Sequence, residues 1–263
     1  MTDRPVSPAI DSSTVAVTAI VPTLNEEDNI LACLESLGWA NHRVVFDSYS
    51  TDGTVRLARE ARAEVLQHPF ENYAQFHNAA MERVDAAWIL FVDADERATP
   101  ALAAEIESVV TADREEVLWW IPRHNYIFGR LTRSAGWYPD YQPRLLRRDH
   151  VRWERPVHEI AIADGPEGYL ENPLIHYNYE DVADFKARQE RYNQLDAEIL
   201  FREGIRPHPY TPYTQFARHF WWRFVTLRGL RDGFHGFRLS LLTAYYEMKK
   251  YHRLARTWRD QER

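Results

Sequence analysis

The sequence predicts an α/β fold: a mostly parallel central sheet with flanking helices, followed by a helical C-terminal extension. Three observations predict it. Strand-like and helix-like segments alternate from Val15 to about residue 112, the pattern of βαβ units on a parallel sheet. Within that alternation Trp88–Val92 (WILFV) is a continuous apolar run, which reads as a strand buried on both faces. Beyond residue 180 the apolar residues recur at helical spacing among Arg and Lys.

The elements follow in order. Val15–Val21 is the first strand, and it ends in Pro22-Thr23-Leu24-Asn25-Glu26-Glu27. Asn25 is read as a helix N-cap, because acids after it suit a helix N-terminus. Ile30, Leu31, Leu34 and Leu37 carry that helix until Gly38 stops it. Val44–Phe46 is the second strand, and the polar segment Asp47–Thr54 opens a second helix, with Asp52 read as a cap. Ala63–Leu66 is the third strand, and Tyr73–Val84 a third helix carrying Gln75, His77 and Asn78. After the central strand, Thr99 caps a helix whose first residue is Pro100. Val117–Ile121, Pro143–Leu146 and Ile160–Ala163 read as short strands among aromatic loops, and Asp181–Arg202 as a long polar helix. Pro207, Pro209 and Pro212 break the chain before the tail.

Composition bounds the class. With 263 residues, 45% of them hydrophobic, the chain can bury one substantial core with a small appendage. The single cysteine, Cys33, excludes an intramolecular disulfide framework and fits a reducing compartment. The first 14 residues have no apolar h-region and read as a disordered lead-in rather than a secretory signal. No stretch approaches the roughly 18 apolar residues of a membrane span. The net charge of -7 conceals an asymmetry. Residues 201–263 carry 13 Lys/Arg against 5 Asp/Glu, a net of +8, and the rest carries 19 against 34, a net of -15. A basic, aromatic tail on an acidic body suits an anionic surface.

The chemistry points to the end of the central strand, where Asp93-Ala94-Asp95-Glu96 follows the apolar run. Buried charge must be paired or bound to metal, so these acids belong at the carboxyl end of the strand, where open α/β sheets hold ligands. Hard carboxylate oxygens suit Mg²⁺ or Mn²⁺, which take one or two of them together with substrate phosphates.

Four motifs stand in sequence: PTLNEE after the first strand, FDSYSTDGT after the second, a helix with HNAA, and VDADE after the fourth. Together they resemble the family 2 glycosyltransferases, with the Rossmann-like GT-A fold and nucleotide-sugar donors. The resemblance is firm over Ala16–Pro100 and looser to about Tyr179, through GWYPDYQPRLLRR and RPVHE. Within the family the chain looks closest to bacterial lipopolysaccharide-core β-1,4-glucosyltransferases. The resemblance implies a catalytic domain over residues 15–180, with a nucleotide-sugar half (15–112) and an acceptor half (113–180), and a helical region over 181–263. It implies a uridine pocket of Pro22, Thr23, Glu26, Asp47, His77 and Asn78, Asp47 accepting from the uracil N3–H. It places Asp93 against ribose or the metal shell and Asp95 on a Mn²⁺ or Mg²⁺ that bridges the donor diphosphate. Two residues depart from the family: Tyr49 where Gly is frequent, and His77 where Lys or Arg is frequent.

Inverting transfer needs a base for the acceptor hydroxyl and a cation for the departing diphosphate. Asp140 and Glu159 are the two candidates for the base, with Asp140 preferred. His158 or His176 is a candidate to complete the metal shell. Trp137, Tyr138 and Tyr141 offer rings for stacking on sugars, and Arg144 a cation for an acceptor anion; a solvated strand edge is the alternative for Arg144.

In the tail, Phe216, Phe220, Phe224 and Leu227 form one stripe, and Leu241, Leu242, Tyr245 and Met248 a second. Such helices suit an anionic membrane surface, or else pack on the catalytic domain or on a second copy of the chain in a homo-oligomer. The expected enzyme transfers a hexose from UDP to a lipid-linked glycan, as a peripheral protein at the cytoplasmic membrane face. A sugar nucleotidyltransferase is the first alternative, but it calls for a Gly- and Arg-rich loop where PTLNEE stands. A non-catalytic module binding membrane or nucleic acid is the second, and acids at strand ends argue against it. Nucleic acid is not an expected partner.

Overall fold

A computed structural model describes residues 16–155 and 159–261. In chain order the described elements begin β1 (Val17–Thr23), α1 (Ile30–Ser36), β2 (His42–Asp47), α2 (Thr54–Glu60), β3 (Glu64–Gln67), α3 (Tyr73–Arg83), β4 (Trp88–Phe91), β5 (Glu96–Ala98) and α4 (Pro100–Thr111). They continue with β6 (Leu118–Ile127), β7 (Arg130–Leu131), β8 (Tyr141–Arg147), β9 (Val151–Glu154), β10 (Ile160–Ala163), β11 (Glu167–Tyr169) and β12 (Leu174–Tyr179). The last helices are α5 (Val182–Arg202), α6 (Thr211–Trp221) and α7 (Gly233–Gln261).

Two compact units result, one comprising residues up to Pro122 with Tyr141–Leu174, the other Arg123–Asp140 with the chain from Ile175 onward. The physical reason lies in the backbone pairing of the 123–140 segment. Phe128 N–H donates to the Tyr179 carbonyl at 2.8 Å, and Ala135 N–H donates to the Leu227 carbonyl at 2.9 Å.

In the first unit β1 pairs in parallel with β2 and β4, and β2 with β3. β8 lies antiparallel to β4, and β6 antiparallel to β8. All four residues of β4 are buried, as an apolar run in a parallel sheet requires. Period-two alternation divides the core between the sheet's faces. Val17, Ala19, Val21, Leu90 and Val92 pack with Ile30, Leu34, Leu102 and Ile106. Ile20, Ile89 and Phe91 pack with Phe76, Met81 and Trp153. Thr99 caps α4 by accepting from Leu102 N–H, with Pro100 at the first turn as expected. Asn25, expected as an N-cap, is not one. It is left-handed (φ 57°) and its side chain accepts from Thr51 N–H at 2.9 Å. α1 starts later, at Ile30, whose N–H bonds the Glu26 carbonyl.

In the second unit Asp181 caps α5 through Ala183 and Asp184 N–H. Ile127, Tyr179, Phe185, Leu239 and Tyr246 form the core. α6 widens into a π turn at Trp222–Thr226, then a tight turn over Gly229–Asp232 leads into α7. That turn allows close approach at Gly236, where a Cβ would sit 1.9 Å from the Gly229 carbonyl oxygen. The stripe Leu241, Leu242, Tyr245 and Met248 is not the buried face of α7. Leu239, Thr243, Ala244 and Tyr246 are buried, whereas Leu241 and Tyr245 are exposed.

Two residues expected in a nucleotide pocket belong to the packing of α3 instead. His77 is buried, stacked on Trp153 at 4.5 Å and edge-on to Phe91 at 4.6 Å. Neither ring nitrogen has a hydrogen-bond partner among the described residues. Asn78 spends its amide on β9, donating to the Trp153 carbonyl at 2.8 Å and accepting from Trp153 N–H at 2.9 Å. Burial lowers the His77 pKa from 6.5 to about 4, with Asp93 opposing the shift. The unfolded chain therefore binds the extra proton between those values, and stability falls as pH drops from 6.5 towards 4. His77→Phe is expected to remove this dependence, worth up to roughly 3 kcal/mol. Urea unfolding of both proteins between pH 4 and pH 7 measures it.

Candidate active site

The parallel pairing brings the carboxyl ends of β1, β2 and β4 to one rim. Thr23 lies opposite Asp47, and Ile20 opposite Phe91. The loops after β1 and β2 are laced together there. Asn25 N–H donates to Ser50 Oγ, Glu26 N–H to Thr54 Oγ1 at 2.8 Å, and Gly53 N–H to Glu27 at 2.7 Å. Asp52, expected as a cap, precedes the α2 N-cap Gly53 and instead ties the two loops, accepting from Thr54 N–H and Glu27 N–H; desolvation raises its pKa, and these bonds outweigh it and lower it.

Asp47 is fully buried. Its carboxylate accepts from Thr23 Oγ1 at 3.1 Å, Ser50 N–H at 3.0 Å, Gln67 Nε2 at 3.0 Å and the Ser50 hydroxyl. A carboxylate offers about four lone-pair sites. Asp47 is thus a pillar of the rim, and the expected bond to a uracil N3–H would have to displace one of these donors. Thr23 is buried with it, while Pro22 and Glu26 are half-buried at the rim. Tyr49 has φ 58° and an exposed ring. This left-handed backbone is what favours Gly at such a position, and a tyrosine bears a cost of roughly 1–2 kcal/mol there.

At the end of β4 the three acids differ sharply. Glu96 is fully buried and Arg144 nearly so. Arg144 Nη2 donates to Glu96 at 2.9 Å, and its two terminal nitrogens clasp both oxygens of Asp93. Glu96 also accepts from Asp93 N–H at 3.0 Å, and Glu96 N–H returns a bond to the Asp93 carbonyl. Burial alone would lower the Arg144 pKa, but Asp93 and Glu96 outweigh it and raise it. This corrects both expectations for Arg144, which is neither an acceptor-facing cation nor a solvated strand edge. Its charge is needed to hold two carboxylates at the end of a buried strand. Asp95 stands half-exposed beyond this cluster. Arg97 brackets the turn through the Ala94 and Glu96 carbonyls. Cys33 donates to the Asp93 carbonyl from beneath, and burial pushes its thiol pKa up.

Among the described residues no group of three or more His, Cys, Asp or Glu could hold a metal unaided. Asp95, with Asp93 beside it, fits the sparser mode in which Mg²⁺ or Mn²⁺ takes one or two carboxylates and completes its shell with substrate phosphates. His158 lies outside the described residues. His176 does not fit the metal shell expected for it, because it is buried and its Nδ1 lies 2.6 Å from Asn125 Oδ1.

In the second unit Asp140 is the centre of a polar cluster. Arg123 reaches Asp140 Oδ2 through Nε at 2.9 Å and Nη2 at 2.8 Å, and Asn125 Nδ2 reaches it at 2.9 Å. Asn125, Arg123 and His176 are the residues that sequence reasoning missed in this role. The one available signal was polar residues on apolar strands, since Asn125 is fully buried in β6. Trp137 is half-buried, 6.1 Å from Tyr179 and under Arg223 at 5.5 Å. Tyr138 is exposed, with His124 at 5.8 Å. In the first unit Tyr141 packs edge-on against Tyr169 at 5.2 Å, and Glu159 is half-exposed just before β10.

The glycosyl transferase family 2 model matches residues 18–163, more than half of the chain. A lipopolysaccharide core biosynthesis glycosyltransferase, LpsC of Rhizobium meliloti, is 28% identical, over 87% of this chain and 90% of its own. An uncharacterized glycosyltransferase of Rickettsia bellii is 24% identical, over 88% and 83%. Among solved structures, the mannosyltransferase PcManGT from Pyrobaculum calidifontis, in complex with GDP-Man and Mn²⁺, superposes with a TM-score of 0.53. It is 16% identical over 95% of this chain and 90% of that one, a likeness of fold. The rim of parallel strands with its acidic terminus, and the matched span that contains it, make this chain a member of glycosyl transferase family 2 with the GT-A fold.

Proposed function

We propose that the chain moves a hexose, glucose first among them, from a UDP-sugar to a lipid-linked glycan such as a lipopolysaccharide core, inverting the anomeric carbon. One observation carries the reading: after β4 Arg144 holds the fully buried Glu96 and the half-exposed Asp93, and Asp95 stands half-exposed beyond them at the same rim. The likeness to LpsC supports the acceptor class. The donor diphosphate would lie at the rim formed by Pro22, Thr23 and Glu26, with Asp95 and Asp93 holding Mn²⁺ or Mg²⁺ beside it. That cation would neutralise charge gathering on the departing diphosphate. Asp140 takes the proton of the attacking hydroxyl, and Glu159 is the alternative base. Tyr138 and Tyr141 offer ring faces to the acceptor.

The GDP-Man in the PcManGT complex makes a GDP-hexose the competing donor. Release of nucleotide from UDP-glucose, UDP-galactose, GDP-mannose and TDP-glucose, each with Mn²⁺, decides between them. Turnover is expected with UDP-glucose and not with GDP-mannose; the reverse overturns the donor assignment. Asp140→Asn is expected to lower that turnover by about 10²-fold or more while leaving UDP affinity unchanged. Near-normal turnover would move the base to Glu159.

The second unit is also proposed to hold the enzyme at the cytoplasmic face of an anionic membrane. No helix among the described residues is long and apolar enough to cross one. Phe220, Phe224 and Phe234 lie 5.8, 5.7 and 6.4 Å from Phe237, and Trp221, Leu230 and Phe234 are exposed. Arg218, Arg228 and Arg231 of the same segment are exposed as well. Aromatic rings with Arg suit an interface with anionic headgroups. Phe234→Ser with Trp221→Ser is expected to abolish sedimentation with phosphatidylglycerol vesicles, while self-association measured by ultracentrifugation stays unchanged. Sedimentation that survives, or a loss of dimers instead, would assign the patch to a second copy of the chain.

A further inference from the structure

We propose that Asn125 is the positioning residue of the Asp140 carboxylate, locked in one orientation by His176. The inference rests on the reading of Asp140 as the base.

The orientation of the Asn125 amide follows from its partners. Nδ2 lies 2.9 Å from Asp140 Oδ2 and 3.0 Å from the Trp137 carbonyl oxygen. Both are acceptors, so both Nδ2 hydrogens are committed to them, and a flipped amide would set its own oxygen against a carboxylate and a carbonyl. Oδ1 therefore faces His176, and the 2.6 Å contact requires His176 Nδ1 to carry a proton. Both residues are buried, and Asn125 sits in the body of β6 while His176 sits in β12. The strut is therefore anchored on two strands rather than on the loop that carries Asp140.

Asn125 and the Arg123 fork converge on one oxygen, Oδ2. Three N–H groups on one carboxylate oxygen fix its plane. A base misplaced by about 1 Å loses up to about 10²-fold in rate. The Trp137 carbonyl, held by the same amide, ties the residues before Asp140 to the same strut.

The test measures nucleotide release from the donor chosen by the screen, with Mn²⁺ and the full chain, across pH. Asn125→Ala is expected to lower kcat about tenfold or more with KM changed less than about threefold. Asn125→Asp sets a second carboxylate against Asp140, so the acid limb of the pH profile is expected to rise by about one unit or more. His176→Ala is expected to lower kcat, and His176→Asn, which restores an N–H donor, to recover most of the loss. Carbon-13 NMR titration of the Asp140 carboxyl in Asn125→Asp reads the same shift without turnover. A folded Asn125→Asp protein with the normal pH profile and an unshifted carboxyl overturns the strut, even where Asp140→Asn is inactive. An active Asp140→Asn protein overturns the underlying reading, a distinguishable result.

Discussion

The clasp of Arg144 on Asp93 and Glu96 is the interaction on which the rest depends. A strand buried on both faces must end somewhere, and β4 ends in acids that cannot stay buried alone. Arg144 comes from β8, whose Leu145 and Leu146 pair directly with Leu90 and Ile89 of β4. The antiparallel register thus delivers the guanidinium to the place where the charge must be balanced. Removing one partner of such a cluster costs roughly 3–5 kcal/mol, because a charge is left buried without its mate. The same clasp has a chemical consequence. With Glu96 buried against Arg144 and both oxygens of Asp93 clasped by it, Asp95 is the acid proposed above to meet a divalent cation.

The first unit was largely legible in the sequence because its signals are local. Four strands and their helices follow from apolar periodicity, and Thr99-Pro100 and Asp181 announce helix starts where the structure has them. The pairing partners were not legible. That Arg144 meets Asp93 across 51 residues of chain, and Asn78 the backbone of Trp153 across 75, depends on register that no local pattern encodes. His77 was misread for the same reason. A histidine on a polar-looking helix turns inward only because Trp153 and Phe91 make a stacking slot for it. The stripe of α7 shows a different limit. Small and polar residues (Ser240, Thr243, Ala244) form much of its buried face, and large apolar ones (Leu241, Tyr245) stay outside.

That inversion of ordinary burial bears on function. Beside the close helix contact at Gly236 and Ser240, several bulky residues of the C-terminal helices, Trp221, Leu230, Phe234, Leu241 and Tyr245, stay outside the core. Large exposed aromatics in a region of net +8 charge are a cost in water, and they are consistent with an anionic, apolar partner. The Asp140 cluster shows the opposite economy. Every polar atom of the buried Asn125 amide is matched, which is what a group meant to hold one geometry requires.

The central claim is that the end of β4 holds a nucleotide diphosphate through a cation on Asp95. Calorimetric titration of UDP into the intact protein and into Asp95→Asn, each with and without Mn²⁺, tests it most directly. The account predicts that Mn²⁺ strengthens UDP binding to the intact protein and that Asp95→Asn abolishes this gain, with its thermal unfolding unchanged. An equal Mn²⁺-dependent gain in both proteins would contradict it.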